Sequence, residues 1–200
     1  MRDLAIVFGR APRLGTVKRR LAREIGDRAA LGFHVAQLNA LLHGLARDRR
    51  WQTLLALTPD RASARVPHGV MVMHQGRGDL GARMQRALAR ARRAVLVGCD
   101  IPGIGPADIA AAFAALGRAD AVFGPAVDGG FWLVGLGPRR PARPFAGARW
   151  SSPAALADTL RNFTRYRVAF VREARDVDTL ADLIATGAKN VPGVTFPAGR

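Results

Sequence analysis

An acidic residue directly after a buried apolar run is costly unless it faces a cleft or a partner. Asp100 is such a residue, in the run Val97-Gly98-Cys99-Asp100-Ile101-Pro102. Its carboxylate is a hard oxygen ligand suited to Mg²⁺ (or Mn²⁺) shared with a diphosphate; the competing reading is a turn or helix cap. A second acidic pair stands in Asp176-Val177-Asp178-Thr179. Asp176 and Asp178 alternate on an extended segment and can flank a metal together with Asp100. Alternatively, Asp178 or Thr179 caps the helix that follows, with Asp182 adding charge to its first turn.

Cations gather elsewhere. Gly9-Arg10-Ala11-Pro12-Arg13-Leu14-Gly15-Thr16 leaves a strand and runs into Val17-Lys18-Arg19-Arg20-Leu21. Loop amides and a helix N-terminus suit phosphate oxygens, and the successive cations Lys18, Arg19 and Arg20 can neutralise their charge. The segment is neither a Walker A loop nor GxGxxG, and an ordinary strand–helix turn with a basic face also accounts for it. Gly78-Asp79-Leu80-Gly81-Ala82-Arg83-Met84 pairs an acid with a base at a helix start; Asp79 and Arg83 either contact a ribose or base, or Asp79 is a plain N-cap. Asp128-Gly129-Gly130 fits a hairpin turn, yet Gly124-Pro125 precedes it and Phe131-Trp132 follows. Its paired glycines also allow close approach of a ligand. The four histidines show no metal spacing, and His34 reads as a packing or surface residue. Cys99 reads as a small residue at a strand end, and Ser151-Ser152-Pro153 as a helix start.

These residues need elements to position them. Leu4–Phe8, Thr53–Leu57, Val70–His74, Ala94–Gly98, Ala121–Phe123, Phe131–Gly135 and Arg167–Val171 read as strands. A helical pattern runs from Val17 to about Arg47, broken at Gly26. Further helices are predicted over Leu80–Arg92, Pro106–Leu116, Pro153–Leu160 and Thr179–Thr186. Alternation of strands and helices implies βαβ units and a three-layer α/β/α fold with a mostly parallel sheet. Ligands in such folds sit beyond the strand carboxyl ends, and there lie Gly9–Lys18, Cys99–Gly105 and Pro125–Gly130.

The 200 residues suffice for one domain, taken as 1–200. No apolar run reaches membrane-span length, and Leu4–Phe8 makes a better strand than a signal peptide. The lone Cys99 fits a reducing compartment, so the cytoplasm is expected. The net charge is +16, and all but two of the 31 basic residues, Lys18 and Lys189, are arginine. That bias fits a GC-rich genome and a solvated Arg-rich surface, or else an anionic partner. The cations are dispersed and not interleaved with aromatics, so nucleic acid is expected to bind only non-specifically. Oligomeric state is not readable.

In order, Phe8…Arg10…Pro12…Gly15…Val17-Lys18-Arg19-Arg20-Leu21, Gly78-Asp79-Leu80-Gly81…Arg83-Met84, Gly98…Asp100…Pro102, Gly124-Pro125…Asp128-Gly129-Gly130-Phe131, Trp150-Ser151-Ser152 and Asp176…Asp178-Thr179 form a set. It resembles the bacterial glycosyltransferase-A-like (radical-SAM/selenodomain-associated, arsenosugar-biosynthesis-type) transferases. It is also similar to CofC-like phospholactate and molybdenum-cofactor guanylyltransferases. The family pattern has Lys, Thr and Tyr where this chain has Arg10, Arg19 and Phe131. The resemblance implies a nucleotide-diphospho-sugar transferase (GT-A-like) fold and a nucleotide or nucleotide-sugar donor. It further implies a Mg²⁺-dependent transfer, glycosyl or nucleotidyl, to a small-molecule acceptor. Asp100, Lys18 and Arg20 would be catalytic, and Gly9, Arg10, Gly15, Lys18, Asp79 and Arg83 would bind the nucleotide. Asp128, Gly129, Gly130 and Trp150 would hold the acceptor, and Asp100, Asp176 and Asp178 the metal.

Overall fold

A computed structural model describes residues 2–186, so Lys189 lies outside the described residues. β1 (Asp3–Arg10), β2 (Trp51–Thr58), β3 (Val70–His74), β4 (Ala94–Gly98), β5 (Ala121–Pro125), β6 (Phe131–Leu136) and β7 (Val168–Phe170) form one sheet in the order β3-β2-β1-β4-β6-β5-β7. β6 alone runs against its neighbours β4 and β5; the other pairings are parallel. This is the mixed, mostly parallel α/β sheet that the alternating pattern implies.

Alternate side chains of the central strands feed two cores. Ala5, Val7, Leu55, Leu57, Val95 and Val97 enter one face with the leucines of α2 (Asp27–Ala46) and with Ile109 and Phe113 of α4 (Pro106–Ala115). Leu4, Ile6, Leu54, Ala56, Ala94 and Leu96 enter the other with Met84 and Leu88 of α3 (Leu80–Leu88). A strand buried on both faces has no polar register to keep, so it reads as a continuous apolar run. A third, smaller cluster joins Leu21 of α1 (Arg19–Ile25), Ala30 and Phe33 of α2, Val177, and Leu183 of α6 (Leu180–Ala185).

Element boundaries differ from expectation by a few residues, and four of the differences have a visible local setting. β1 continues through Gly9 and Arg10, which pair with Leu57 and Thr58, so the loop begins later than the glycine suggested. The long helical pattern is two helices divided at Gly26, as expected, but its first turn starts at Arg19. α3 stops at Leu88 and not Arg92, because the Arg140 guanidinium donates to the carbonyls of Leu88, Ala91 and Arg92 and holds that segment as a turn. α5 (Ala155–Leu160) starts two residues after Pro153, with a 3₁₀ turn over Arg161–Phe163 after it.

Candidate active site

The carboxyl ends of β1, β4 and β5 open into a cleft, and its two halves differ in chemistry. One half, about 310 Å³, is bordered by Arg10, Thr16, Lys18, Arg19, Arg20, His34, Cys99, Asp100 and Asp178. The other, about 460 Å³, is bordered by aromatic and aliphatic side chains together with Asp100, Asp128, Asp176 and Asp178. Phe8, Asp100 and Asp178 belong to both halves and mark their junction.

At that junction the Lys18 ammonium lies 3.0 Å from Asp100 Oδ1 and 3.3 Å from Asp178 Oδ1. Lys18 has left-handed backbone (φ 47°) just before α1, which turns its side chain inward until only 4% is exposed. Arg20, 76% exposed, reaches Asp178 Oδ2 at 3.5 Å from outside. Burial lowers the Lys18 pKa, but Asp100 and Asp178 outweigh it and the net shift is upward. Burial likewise pushes the Asp100 carboxyl up, while the His34 ring and the Lys18 ammonium pull harder and hold it at about 2. Asp100 is therefore ionised, although only half of its side chain is exposed. Asp176 moves the other way, raised by burial and then by Asp178 and Asp128.

The Asp176–Asp178 segment reaches this place by its own pattern. Val177 is fully buried in the third cluster, and its amide donates to the Asp100 carbonyl oxygen at 3.2 Å. With the middle residue inward, both flanking aspartates border the cleft. Thr179, not Asp178, caps α6: its side chain accepts from the Asp182 amide, and the Asp182 carboxylate accepts from the Thr179 amide. This leaves Asp178 free for Lys18 and Arg20.

Other expected site residues fall elsewhere. Gly9 sits inside the sheet, and a Cβ there would touch Cys99, Leu55 and Leu38, so it offers a ligand no surface. Gly15 lies at an exposed turn outside both halves of the cleft. Arg10 does border the cationic half, its guanidinium 3.4 Å from the Thr16 carbonyl oxygen. Asp79 is the N-cap of α3, accepting from the Ala82 amide at 2.8 Å. Arg83 donates to Gln75 Oε1 at 3.0 Å, and buried Gln75 in turn ties the Gly9 and Ala56 carbonyls. Asp79 and Arg83 thus shape the sheet end, and their helix offers Leu80 and Met84 to the cleft instead.

Asp128 and Gly130 border the larger half, with the Gly130 amide donating to Asp128 Oδ1 at 2.9 Å. Gly129 serves a different end from the one expected. Its φ is +85°, and a Cβ would be driven into the Pro153 carbonyl. The close approach is to the chain's own backbone, and it docks the Trp150–Pro153 segment against the β5–β6 turn. Asp158, 3% exposed, completes the docking by accepting from the Arg149 amide and guanidinium. Trp150 consequently stands against Phe131 and Phe145 at the cleft edge, with ring centroids 6.2 Å from each.

His34, which reads from the sequence as a packing or surface residue, does pack in the interior and also borders the cationic half of the cleft. It is 3% exposed; its Nε2–H donates to the Arg10 carbonyl oxygen at 3.0 Å, and its Nδ1 faces Asp100 Oδ1 at 3.8 Å. Among the described residues, His34, Cys99 and Asp100 form the one His/Cys/Asp/Glu group whose ligand atoms all lie within 4.8 Å of one another. A signal was present: His34 falls on the stripe Ala30, Phe33, Leu38, Leu41, Leu42 and Leu45 that α2 buries, and a polar residue on an apolar stripe needs a reason.

Residues 41–152 match the family described as "Uncharacterized protein conserved in bacteria (DUF2064)". No curated protein matches the chain. Among solved structures it is similar to a proposed nucleotide-diphospho-sugar transferase from Desulfovibrio desulfuricans G20, with 28% identity and a TM-score of 0.84 over 96% of this chain and 90% of that one. It is also similar to 2-C-methyl-D-erythritol 4-phosphate cytidylyltransferase from Thermus thermophilus, with 18% identity and a TM-score of 0.52 over 94% and 98% of the two chains. For 4-diphosphocytidyl-2C-methyl-D-erythritol synthase from Anaerococcus prevotii the values are 10%, 0.57, 94% and 97%. The last two likenesses are of fold alone. The architecture is that of the nucleotide-diphospho-sugar transferases, GT-A-like.

Proposed function

For this chain, which belongs to the DUF2064 family of bacterial proteins, we propose a divalent-cation-dependent transferase acting on a nucleotide-sugar donor. The carrying observation is the Lys18–Asp100–Asp178 junction, where a cationic half-cleft suited to phosphates meets an apolar, acidic one. The name given to the Desulfovibrio relative supports the sugar donor. Within the family, the ordered motifs support the radical-SAM/selenodomain-associated, arsenosugar-biosynthesis-type group.

The residues present fit Mg²⁺ or Mn²⁺. Asp100 is ionised and half exposed, its Oδ2 accepts no hydrogen bond from the described residues, and Asp176 and Asp178 border the same cleft. The Asp100 and Asp178 oxygens would hold the ion, which when bound neutralises charge on the leaving diphosphate. Arg10 and Arg20 bind phosphate oxygens from the cationic half. Lys18 keeps Asp100 and Asp178 in one arrangement, and His34, anchored on Arg10, backs Asp100 from the core side. Asp128, Gly130 and Trp150 hold the acceptor, and Phe131 with Trp150 excludes water from it. An acceptor hydroxyl displaces a nucleoside diphosphate from the sugar, with no covalent enzyme intermediate. Nucleotidyl transfer of the CofC-like kind is the other chemistry such a fold supports, and it releases pyrophosphate.

The test is calorimetric titration with nucleoside diphosphates, triphosphates and nucleotide sugars, with and without Mg²⁺, on the native chain and Asp100→Asn. Mg²⁺-dependent binding by the native chain, lost in a variant that keeps its circular dichroism, is the expected result. Undiminished Mg²⁺-dependent binding by folded Asp100→Asn defeats the proposal. Product analysis then separates nucleoside diphosphate release from pyrophosphate release.

A further inference from the structure

The larger half of the cleft has a charge opposite to that of the whole molecule. The chain carries +16 overall, yet among the described residues bordering this half there is no arginine, lysine or histidine. Four carboxylates border it instead: Asp100, Asp128, Asp176 and Asp178. Two of these are answered at the junction, Asp100 by Lys18 and Asp178 by Lys18 and Arg20. A divalent ion held there would satisfy that junction further. Asp128 and Asp176 have no ion pair with any described residue, so they leave the space beyond the junction negative.

The rest of the wall is apolar. Phe8, Leu80, Phe131, Val134 and Trp150 border it, and the Phe131–Phe145–Trp150 group gives it an aromatic side. A volume of about 460 Å³ accommodates a small molecule. Asp128 is exposed and Asp176 half-buried, and an anionic group placed beside them meets a repulsion that no lining side-chain cation offsets. A neutral or cationic molecule with a ring or other apolar body meets both features of the wall at once.

We propose that this half-cleft admits an acceptor with an apolar or aromatic body and no phosphate or carboxylate, its nucleophile being a neutral hydroxyl. The inference rests on the transferase reading for the word acceptor, but the charge selection belongs to the cavity itself. It deepens that reading, because a phosphorylated acid, the acceptor in CofC-like guanylyl transfer, is the kind of molecule the wall rejects.

Three matched probes test it: benzyl alcohol, benzylamine and benzyl phosphate, titrated in the presence of Mg²⁺ and a nucleoside diphosphate and followed by ligand-observed NMR. The alcohol and the amine are expected to bind at least about tenfold more tightly than the phosphate. In Asp128→Asn/Asp176→Asn the gap between amine and phosphate narrows, and in Trp150→Ala all three probes weaken. Equal or tighter binding of benzyl phosphate to the native chain, or no saturable binding by any probe, overturns the proposal. The same titration reports nucleoside diphosphate binding separately. Loss of nucleotide binding with charge selection intact defeats the transferase reading alone, and nucleotide binding without charge selection defeats this inference alone.

Discussion

Two neighbouring cations of the same basic run have different tasks. Lys18 is inward, 4% exposed and shared between two carboxylates; Arg20 is outward, 76% exposed and loosely paired. Removing one partner of a buried pair leaves an uncompensated charge, a cost of about 3–5 kcal/mol when both partners are buried. Asp100 and Asp178 are 50% and 41% exposed, so solvent screens much of that, and Lys18→Ala is expected to lower unfolding stability by about 1–2 kcal/mol. Arg20→Ala should stay within about 0.5 kcal/mol of the native chain in the same urea titration, as surface ion pairs do. Binding reverses the order of clarity: Arg20→Ala should weaken a Mg²⁺-nucleotide by about 1–3 kcal/mol with the fold untouched, the range for a charge-assisted contact. Equal stability losses in the two variants would show that Lys18 is as solvated as its neighbour.

At the scale of elements, the acidic half-cleft depends on one turn and one helix. The turn needs Gly129, which combines φ +85° with direct contact to the Pro153 carbonyl. Gly26, also at positive φ (+84°) between α1 and α2, has nothing within 4 Å of the position its Cβ would take. Gly26, with ψ 153°, lies in the positive-φ extended region that only glycine readily adopts, so Gly26→Ala should show the backbone cost alone, about 1–3 kcal/mol, whereas Gly129→Ala adds steric displacement and should cost clearly more by chemical denaturation. A Gly129→Ala variant as stable as Gly26→Ala would mean that Pro153 yields freely. The helix is tied through Asp158. Its carboxyl is held at about 2 against an ordinary 3.8, chiefly by the Arg149 hydrogen bond and, acting with Arg149's charge, by Arg161. A depressed folded pKa contributes stability that is complete above the ordinary value and is lost as pH falls towards the folded one. The melting-temperature gap between the native chain and Asp158→Asn should thus be constant near neutrality and close between roughly pH 4 and pH 2. A gap independent of pH across that window would rule out this ion pair as its source.

At the scale of the whole molecule, the net charge of +16 and the cleft make separable demands. Contact with any polyanion releases counterions, so a short DNA duplex should adsorb at low salt without sequence preference and dissociate steeply as salt rises. Mg²⁺-nucleotide binding involves few phosphates in a defined cleft and should fall less over the same range. Asp100→Asn should abolish the second behaviour and spare the first. Salt-resistant, sequence-selective duplex binding without nucleotide binding would make nucleic acid the partner. No helix among the described residues is long and apolar enough to cross a membrane.

The sequence by itself determined what depends on neighbours along the chain. The seven strands, the break at Gly26 and the α/β class follow from apolar runs, turn residues and helical spacing, all local properties. The alternation in Asp176-Val177-Asp178 also carried true information, because one buried valine orients both of its neighbours. Tertiary structure decided which polar groups meet. Lys18 and Asp178 are 160 residues apart and touch, and no local pattern announces that the lysine turns inward while Arg20 stays out. It decided that Asp79 caps a helix, that Gly9 is enclosed by the sheet, and that the space beside Gly129 is filled by Pro153. It also brought His34 from the middle of α2 to the back of Asp100. Residue type and spacing name the groups able to do chemistry. Burial, and the charge that happens to stand opposite, assign them to it, and both are fixed only when distant segments pack.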